Sequence, residues 1–277
     1  MQSTFGRLPD VPALSGVSLL SFALNVPGPV AVARLVAEGA AAVKIEPADG
    51  DPLAGYSRPW YDALHAGVPV VPLDLKSDAG RAALEPHLAR ADVVLTSQRP
   101  GALGRLGLAP AALVARHPHL RVVAIVGDTA APEVPGHDVT YQAEAGLLRA
   151  GLPATFLADL AGAADAVTAV LLALREPAGA CHVVGLRDAL TAFAAPARYG
   201  LTQPEGCFGG ADPAYNVYAA TDGVVAVAAL EPHFRARFYA ALGLPLNAPL
   251  HETMRARTCA AWAAFAREHD VPISPLR

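Results

Sequence analysis

Residues 17–45 read VSLLSFALNVPGPVAVARLVAEGAAAVKI, and this stretch decides the fold. Val17–Phe22 is a short apolar run of strand length, and Asn25-Val-Pro-Gly-Pro29 is a turn. Val30–Glu38 has the composition of a helix, with Pro29 suited to its first turn and Gly39 placed to end it. Ala41–Ile45 is strand-like again. One strand, one helix and a second strand within thirty-odd residues form a βαβ unit, which demands a parallel pair. The same alternation continues outward. Pro69–Leu73, Asp92–Leu95 and Arg121–Val126 are strand candidates, with helical stretches at Ser77–Arg90 and Ala109–Arg116 between them. The pattern implies a parallel sheet with helices on its faces. Asp159–Leu174 is a long helix with Gly162 near its start. The texture changes near Pro204, where Gly206, Gly209 and Gly210 lead into Tyr215–Ala219 and Val224–Ala228. These two runs flank Asp222-Gly223, a hairpin signal. Helices are expected at Pro232–Leu242 and Thr258–His269. The expected division is a large α/β domain over residues 1–203 and a smaller α+β domain over 204–277.

Bulk properties narrow the function. Of the 277 residues 53% are apolar and 17% charged, with a formal net charge of −4. Such a chain buries a proper core and lacks the concentrated positive face that nucleic acid requires. Cys181, Cys207 and Cys259 are odd in number and form no CxxC pair, which speaks against a disulfide framework and a structural zinc site. MQSTFGRLPD at the start lacks the apolar core of a signal peptide, and no apolar run reaches the roughly 20 residues of a membrane span. A cytoplasmic protein with no metal is the expectation. No GxGxxG follows a strand, and Pro27 and Pro29 remove N–H donors where a phosphate loop would need them, which weakens a nucleotide-redox reading.

Several blocks occur together in one order: Pro27-Gly-Pro29; Ala40-Ala-Ala-Val-Lys-Ile-Glu-Pro47; Asp49-Gly-Asp-Pro52; Leu73-Asp-Leu-Lys-Ser77; Ala91-Asp-Val-Val-Leu95; Arg99-Pro-Gly101; Arg105-Leu-Gly-Leu108; Gly136-His-Asp138 with Tyr141; Leu157-Ala-Asp-Leu-Ala-Gly162; Tyr218 to Gly223; and Ala229-Leu-Glu-Pro232. In this the chain resembles the class III CoA-transferases (CaiB/BaiF type), a family that includes the 2-methylacyl-CoA racemases. The resemblance implies a Rossmann-like large domain, a small domain, a homodimer whose chains interlock, and coenzyme A as thioester substrate. Members usually continue beyond the position of Val271–Arg277 with a segment that returns to the large domain. They also carry a longer glycine-rich loop at Val126–Ala130.

The resemblance makes Asp159 the catalytic carboxylate. On the residues alone, an aspartate at a helix start is more readily a cap. In a transferase it is a nucleophile that forms an anhydride and then a CoA thioester; in a racemase it is a base or acid at the α-carbon. The positive end of a helix is expected to hold it ionised. His137 matches the racemase-type histidine, which returns a proton from the opposite face, and its unperturbed pKa of about 6.5 suits that role. Glu231 matches a carboxylate that orients this histidine, although an acid near a helix start is also favoured by the dipole. Asp138 is a local hydrogen-bonding residue. Lys44, at a strand end, and Arg99 are the cations expected at the CoA phosphates; unpartnered surface charge is the plainer reading of either. The leading expectation is racemase-like α-proton transfer, then CoA transfer through Asp159, and last an inactive CoA-binding protein.

Overall fold

The structure, a computed structural model, describes residues 12–148 and 151–276. The expectations stated for Met1–Asp10 therefore lie outside the described residues. Two compact units divide the chain, residues 1–193 and 194–277.

In the first unit the elements keep to the predicted alternation. They run β1 (Ser18–Ser21), α1 (Pro27–Ala37), β2 (Ala41–Glu46), α2 (Pro52–Tyr56), α3 (Arg58–Leu64), β3 (Val70–Pro72), α4 (Asp78–Arg90) and β4 (Val93–Thr96). Then come α5 (Pro100–Arg105), α6 (Pro110–Arg116), β5 (Arg121–Val126), α7 (Asp138–Glu144), α8 (Leu157–Arg175), β6 (Cys181–Gly185) and α9 (Leu186–Phe193). The strands form one sheet in the order β3-β2-β1-β4-β5-β6, every pair parallel. Both faces are covered, as a parallel sheet requires. Leu19, Val93, Leu95, Val123 and Ile125 join α1 and α8 on one side, through Val30, Leu35, Ala163, Ala166 and Val170. The alternate residues Leu20, Val94 and Val122 meet Leu84 and Leu88 of α4, Leu103 of α5 and Leu113 of α6 on the other.

The strand order reverses between β1 and β4, where an open α/β sheet usually receives its ligand. Here that crevice is sewn together. Ser97 Oγ accepts the Leu24 N–H at 2.9 Å, and the Gln98 amide donates to the Phe22 carbonyl. Pro27, Gly28 and Pro29 form the buried first turn of α1, and a Cβ at Gly28 would lie 2.0 Å from the Ala23 Cβ. The helix thus begins three residues earlier than the sequence suggested, because Pro27 at the first helical position needs no hydrogen-bond partner for its nitrogen.

α8 has 19 residues and by length and composition alone could cross a membrane, a test that a core helix also passes. Its alanine- and glycine-rich face instead lies against the sheet and its neighbouring helices. A Cβ at Gly162 would overlap Leu186 Cδ2 of α9 at 2.2 Å, so the small residue sets how closely the two helices approach.

The second unit holds α10 (Ala195–Arg198), β7 (Tyr215–Ala219), β8 (Val224–Ala228), α11 (Pro232–Leu242), α12 (His251–Arg255), α13 (Cys259–His269) and β9 (Ile273–Pro275). β7-β8-β9 is an antiparallel sheet. Its core gathers Tyr218, Phe238, Tyr239, Met254, Trp262 and Phe265, and the buried indole N–H of Trp262 donates to the Met254 carbonyl at 2.8 Å. The division falls after Phe193, whereas the sequence placed it after residue 203. Residues 194–203 hydrogen-bond among themselves and forward along the chain: Phe208 N–H to the Leu201 carbonyl at 2.9 Å, and the Gln203 amide to the Ala197 carbonyl at 3.1 Å. They therefore belong to the second unit, although the glycine-rich texture begins only later.

Candidate active site

α8 is the crossover that leads back into β6, parallel to β5, so its first turn lies at the carboxyl edge of the sheet. Asp159 is the third residue of this helix. Phe156 is the N-cap residue, so Asp159 does not cap its own helix. The cap comes from Asp138, at the start of α7. Its Oδ1 accepts the N–H groups of Ala158 at 2.7 Å and Asp159 at 3.1 Å, while its Oδ2 accepts from the Gln142 amide at 2.6 Å. Asp138 is buried and is the structural hydrogen-bonding residue that the sequence suggested.

This arrangement overturns the expectation that the helix terminus would keep Asp159 ionised. Two of the free N–H groups at that end, those of Ala158 and Asp159, are already taken by a second carboxylate. Asp159 is left partly buried, and no hydrogen bond reaches its carboxyl group among the described residues. Burial, and then the nearby charge of Asp138, push its pKa up to about 7. A carboxyl so placed exists in both protonation states near neutrality, which is the condition for acid–base work.

His137 precedes Asp138 and is therefore carried to the start of α8 by the bond that caps it. Its backbone N–H donates to Thr140 Oγ1 at 3.1 Å, and the residue is exposed. Gly136 and Gly127 leave room for one phenol: a Cβ at either would lie 2.2 Å from the Tyr141 hydroxyl. Burial raises the Tyr141 pKa, and the charges of Glu144, Asp128 and Asp159 raise it further, while Arg99 opposes them. Tyr141 thus lies within electrostatic reach of both Asp159 and Arg99. Arg99 is exposed at the N-cap of α5, where Glu133 accepts the Gly101 N–H at 2.6 Å. The loop after β5 is tied to α9. Arg187 donates to Asp128 at 2.6 Å and holds its carboxyl below the usual range, and the Thr129 N–H donates to Asp188 at 3.0 Å.

Lys44 has a different environment from the one expected. It lies within β2 and is only 2% exposed. Its ammonium donates to Asp51 at 2.5 Å and His65 Nε2 at 2.9 Å and lies 2.9 Å from Glu46. Three N–H donors meet three acceptors, and none remains for a phosphate. The His65 Nδ1–H donates to the Tyr61 carbonyl at 2.7 Å, which leaves Nε2 as the acceptor. Burial lowers the His65 pKa, in keeping with this neutral tautomer. Glu46, Asp51 and His65 form a donor set that a metal ion could use, but the lysine ammonium occupies its middle. The pocket around it leaves no space for a water molecule. Glu231 belongs to the second unit, exposed at the N-cap of α11; its carbonyl accepts the Arg235 N–H at 2.9 Å, and its side chain makes no capping bond.

Sequence reading did not find the capping role of Asp138 toward α8, nor the stacking of Trp60 on Phe156, whose ring centroids lie 6.4 Å apart. Tyr141 was visible only as a companion of Gly136-His-Asp.

A parallel α/β sheet with a proton-poised carboxyl at its carboxyl edge has the make-up of an acid–base or nucleophilic site. The chain belongs to CoA-transferase family III, whose model matches residues 14–277. It is 34% identical over 156 residues to a "probable fatty acyl-CoA transferase" of Mycobacterium tuberculosis, covering 50% of this chain and 38% of that protein. It is also 31% identical over 256 residues to the alpha-methylacyl-CoA racemase of Mus musculus, covering 83% of this chain and 65% of the mouse protein. The aligned stretch is thus less than two thirds of either relative. A crystal structure of a hypothetical Mycobacterium tuberculosis protein superposes with a TM-score of 0.81 at 23% identity, covering 96% of this chain and 86% of that one, so the two share a fold.

Proposed function

We propose that this protein acts on acyl-CoA thioesters and moves a proton at the α-carbon, with Asp159 as one of the two acid–base groups. The observation that carries this reading is the Asp159 carboxyl, free of hydrogen-bond donors among the described residues and raised to about 7. An α-proton beside a thioester carbonyl is weakly acidic, and its removal leaves an enolate whose charge rests on the thioester oxygen. Ionised Asp159 takes that proton. His137, beside the start of α8, returns one from the other face, which inverts the carbon. On this reading Arg99 meets the anionic part of the coenzyme. The family resemblance adds a cytoplasmic homodimer. Lys44 takes no part in binding, since its donors are all used within the chain.

A second reading is CoA transfer, in which Asp159 attacks the thioester carbonyl, the thiolate leaves, and an acyl-aspartyl anhydride forms. The similarity to the mycobacterial transferase favours it. The raised pKa favours the first, because a nucleophile must be ionised and a proton shuttle need not be. Incubating the protein with 2-methyl-branched acyl-CoAs in D2O separates them. Exchange of the α-proton that vanishes in both Asp159→Asn and His137→Ala supports proton transfer. Absence of exchange, with an acyl adduct on Asp159, establishes the transferase reading in its place.

A further inference from the structure

Trp60 and Phe156 make an aromatic platform beside Asp159. Their rings are nearly parallel, inclined at 14°, with centroids 6.4 Å apart, which lies within the range of offset stacking. Phe156 is the N-cap residue of α8, one turn before Asp159, and its carbonyl accepts the Leu160 N–H at 3.0 Å. The residue is 48% exposed. Trp60 is fixed from the other side. It sits on α3, which Ser57 caps, next to buried Tyr61, whose hydroxyl donates to Glu46 at 2.8 Å in the Lys44 cluster. Trp60 itself is only partly buried. Two rings are thus held in place and left open to solvent next to the carboxyl group on which the chemistry is placed.

We infer that Trp60 and Phe156 form the acyl subsite and select an aryl or arylalkyl acyl group. This inference rests on the reading of Asp159 as the group next to the reacting carbon. Within one helical turn of that carboxyl, the portion of an acyl-CoA that reaches a neighbouring surface is the acyl group. The adenine is separated from the thioester by the whole pantetheine arm and pyrophosphate. A flat ring stacks on a fixed indole, whereas an acetyl group is too short to reach it. The platform is already formed, so a bound ring orders no further side chain.

The test is calorimetric titration of the whole protein with CoA, acetyl-CoA, isobutyryl-CoA and phenylacetyl-CoA, repeated on Trp60→Leu and Phe156→Leu. Leucine keeps apolar bulk and removes the ring, and thermal unfolding confirms that each variant is folded. Phenylacetyl-CoA is expected to bind the wild type about tenfold tighter than acetyl-CoA, the size of one or two stacking contacts. Trp60→Leu brings that ratio close to one and leaves the affinity for CoA itself unchanged. Equal affinities for phenylacetyl- and acetyl-CoA in the wild type overturn the inference. So does a preference that survives both substitutions, or isobutyryl-CoA binding as tightly as phenylacetyl-CoA. Failure to bind CoA or any thioester overturns the reading of the site beneath it.

Discussion

Two sets of charged side chains lie within the first unit, and they are treated in opposite ways. Around Lys44, every polar group has hydrogen-bond or ionic partners: Glu46, Asp51 and His65 surround the ammonium, the Tyr61 hydroxyl supports Glu46, and the Asn25 and Leu53 N–H groups support Asp51 at 2.9 Å each. At the start of α8, Asp138 is as fully satisfied, but it takes the donors that Asp159 would otherwise use. The first cluster fixes β2, α2 and α3 in register. The second leaves one carboxyl poorly solvated and poised between two states. Complete pairing marks structure and incomplete pairing marks chemistry, because leaving a buried polar group without partners costs stability that packing alone does not require.

Breaking the paired cluster has the largest expected effect on stability. Lys44→Met leaves two buried carboxylates without their cation and is expected to cost about 3–5 kcal/mol, measured by denaturant unfolding at pH 7. A loss below about 1 kcal/mol would mean that the lysine is not the keystone of that cluster. Gly136→Ala comes next, because its Cβ meets the Tyr141 hydroxyl, Cζ and Cε1 at 2.2–2.6 Å and a ring cannot flex aside as an alkyl chain does. It is expected to cost about 1–3 kcal/mol, with turnover falling as Tyr141 is displaced.

Asp159→Asn acts in the opposite direction. The folded-state pKa is raised to about 7 from an unperturbed 3.8, so folding disfavours the ionised form. Below about pH 4 the group is protonated in both folded and unfolded chains and costs nothing. Between the two pKa values the unfolded chain ionises while the folded one does not, so stability falls as the pH rises from about 4 and levels off above about 7. The variant is therefore expected to be more stable than the wild type by about 1–3 kcal/mol at pH 8, and about equally stable below pH 4. Unfolding curves at the two pH values check the sign. The smallest stability change is expected for Asp138→Asn, which keeps the acceptor oxygen at the α8 cap but replaces the oxygen that accepts from Gln142 with an amide nitrogen: about 1 kcal/mol. It sharpens the contrast nonetheless, because without the neighbouring charge the Asp159 pKa should fall. A pH–rate profile whose limb near 7 moves to lower pH is the expected readout.

Local rules carried much of the fold. The hairpin Tyr215–Ala219 and Val224–Ala228, the strand Arg121–Val126 and the helix Pro232–Leu242 have the bounds expected from turn residues, proline and β-branched runs. β6 was missed because CHVVG has too few apolar residues to stand out, and β9 because Pro275 within it and Pro272 just before it argue against a strand. α3 and α7 are only seven residues each, too short to display a helical period. At the site, Asp159 and His137 were singled out through family resemblance. The burial of Lys44 was not, because its partners Asp51 and His65 lie 7 and 21 residues away and meet it only after β2, α2 and α3 have packed. For the same reason the loss of the helix-end donors to Asp138 was invisible: a capping aspartate from another helix, 20 residues earlier, leaves no local signature.

The central claim is that Asp159 is held between two protonation states by burial and by Asp138. The direct measurement is a carbon-13 NMR titration of the aspartate side-chain carboxyl groups, with Asp159→Asn identifying the resonance. A resonance that titrates near 7 and is absent from the variant is the predicted result. Titration of that resonance near the ordinary value of about 4 would contradict the account and leave Asp159 an ordinary carboxylate at the start of a helix.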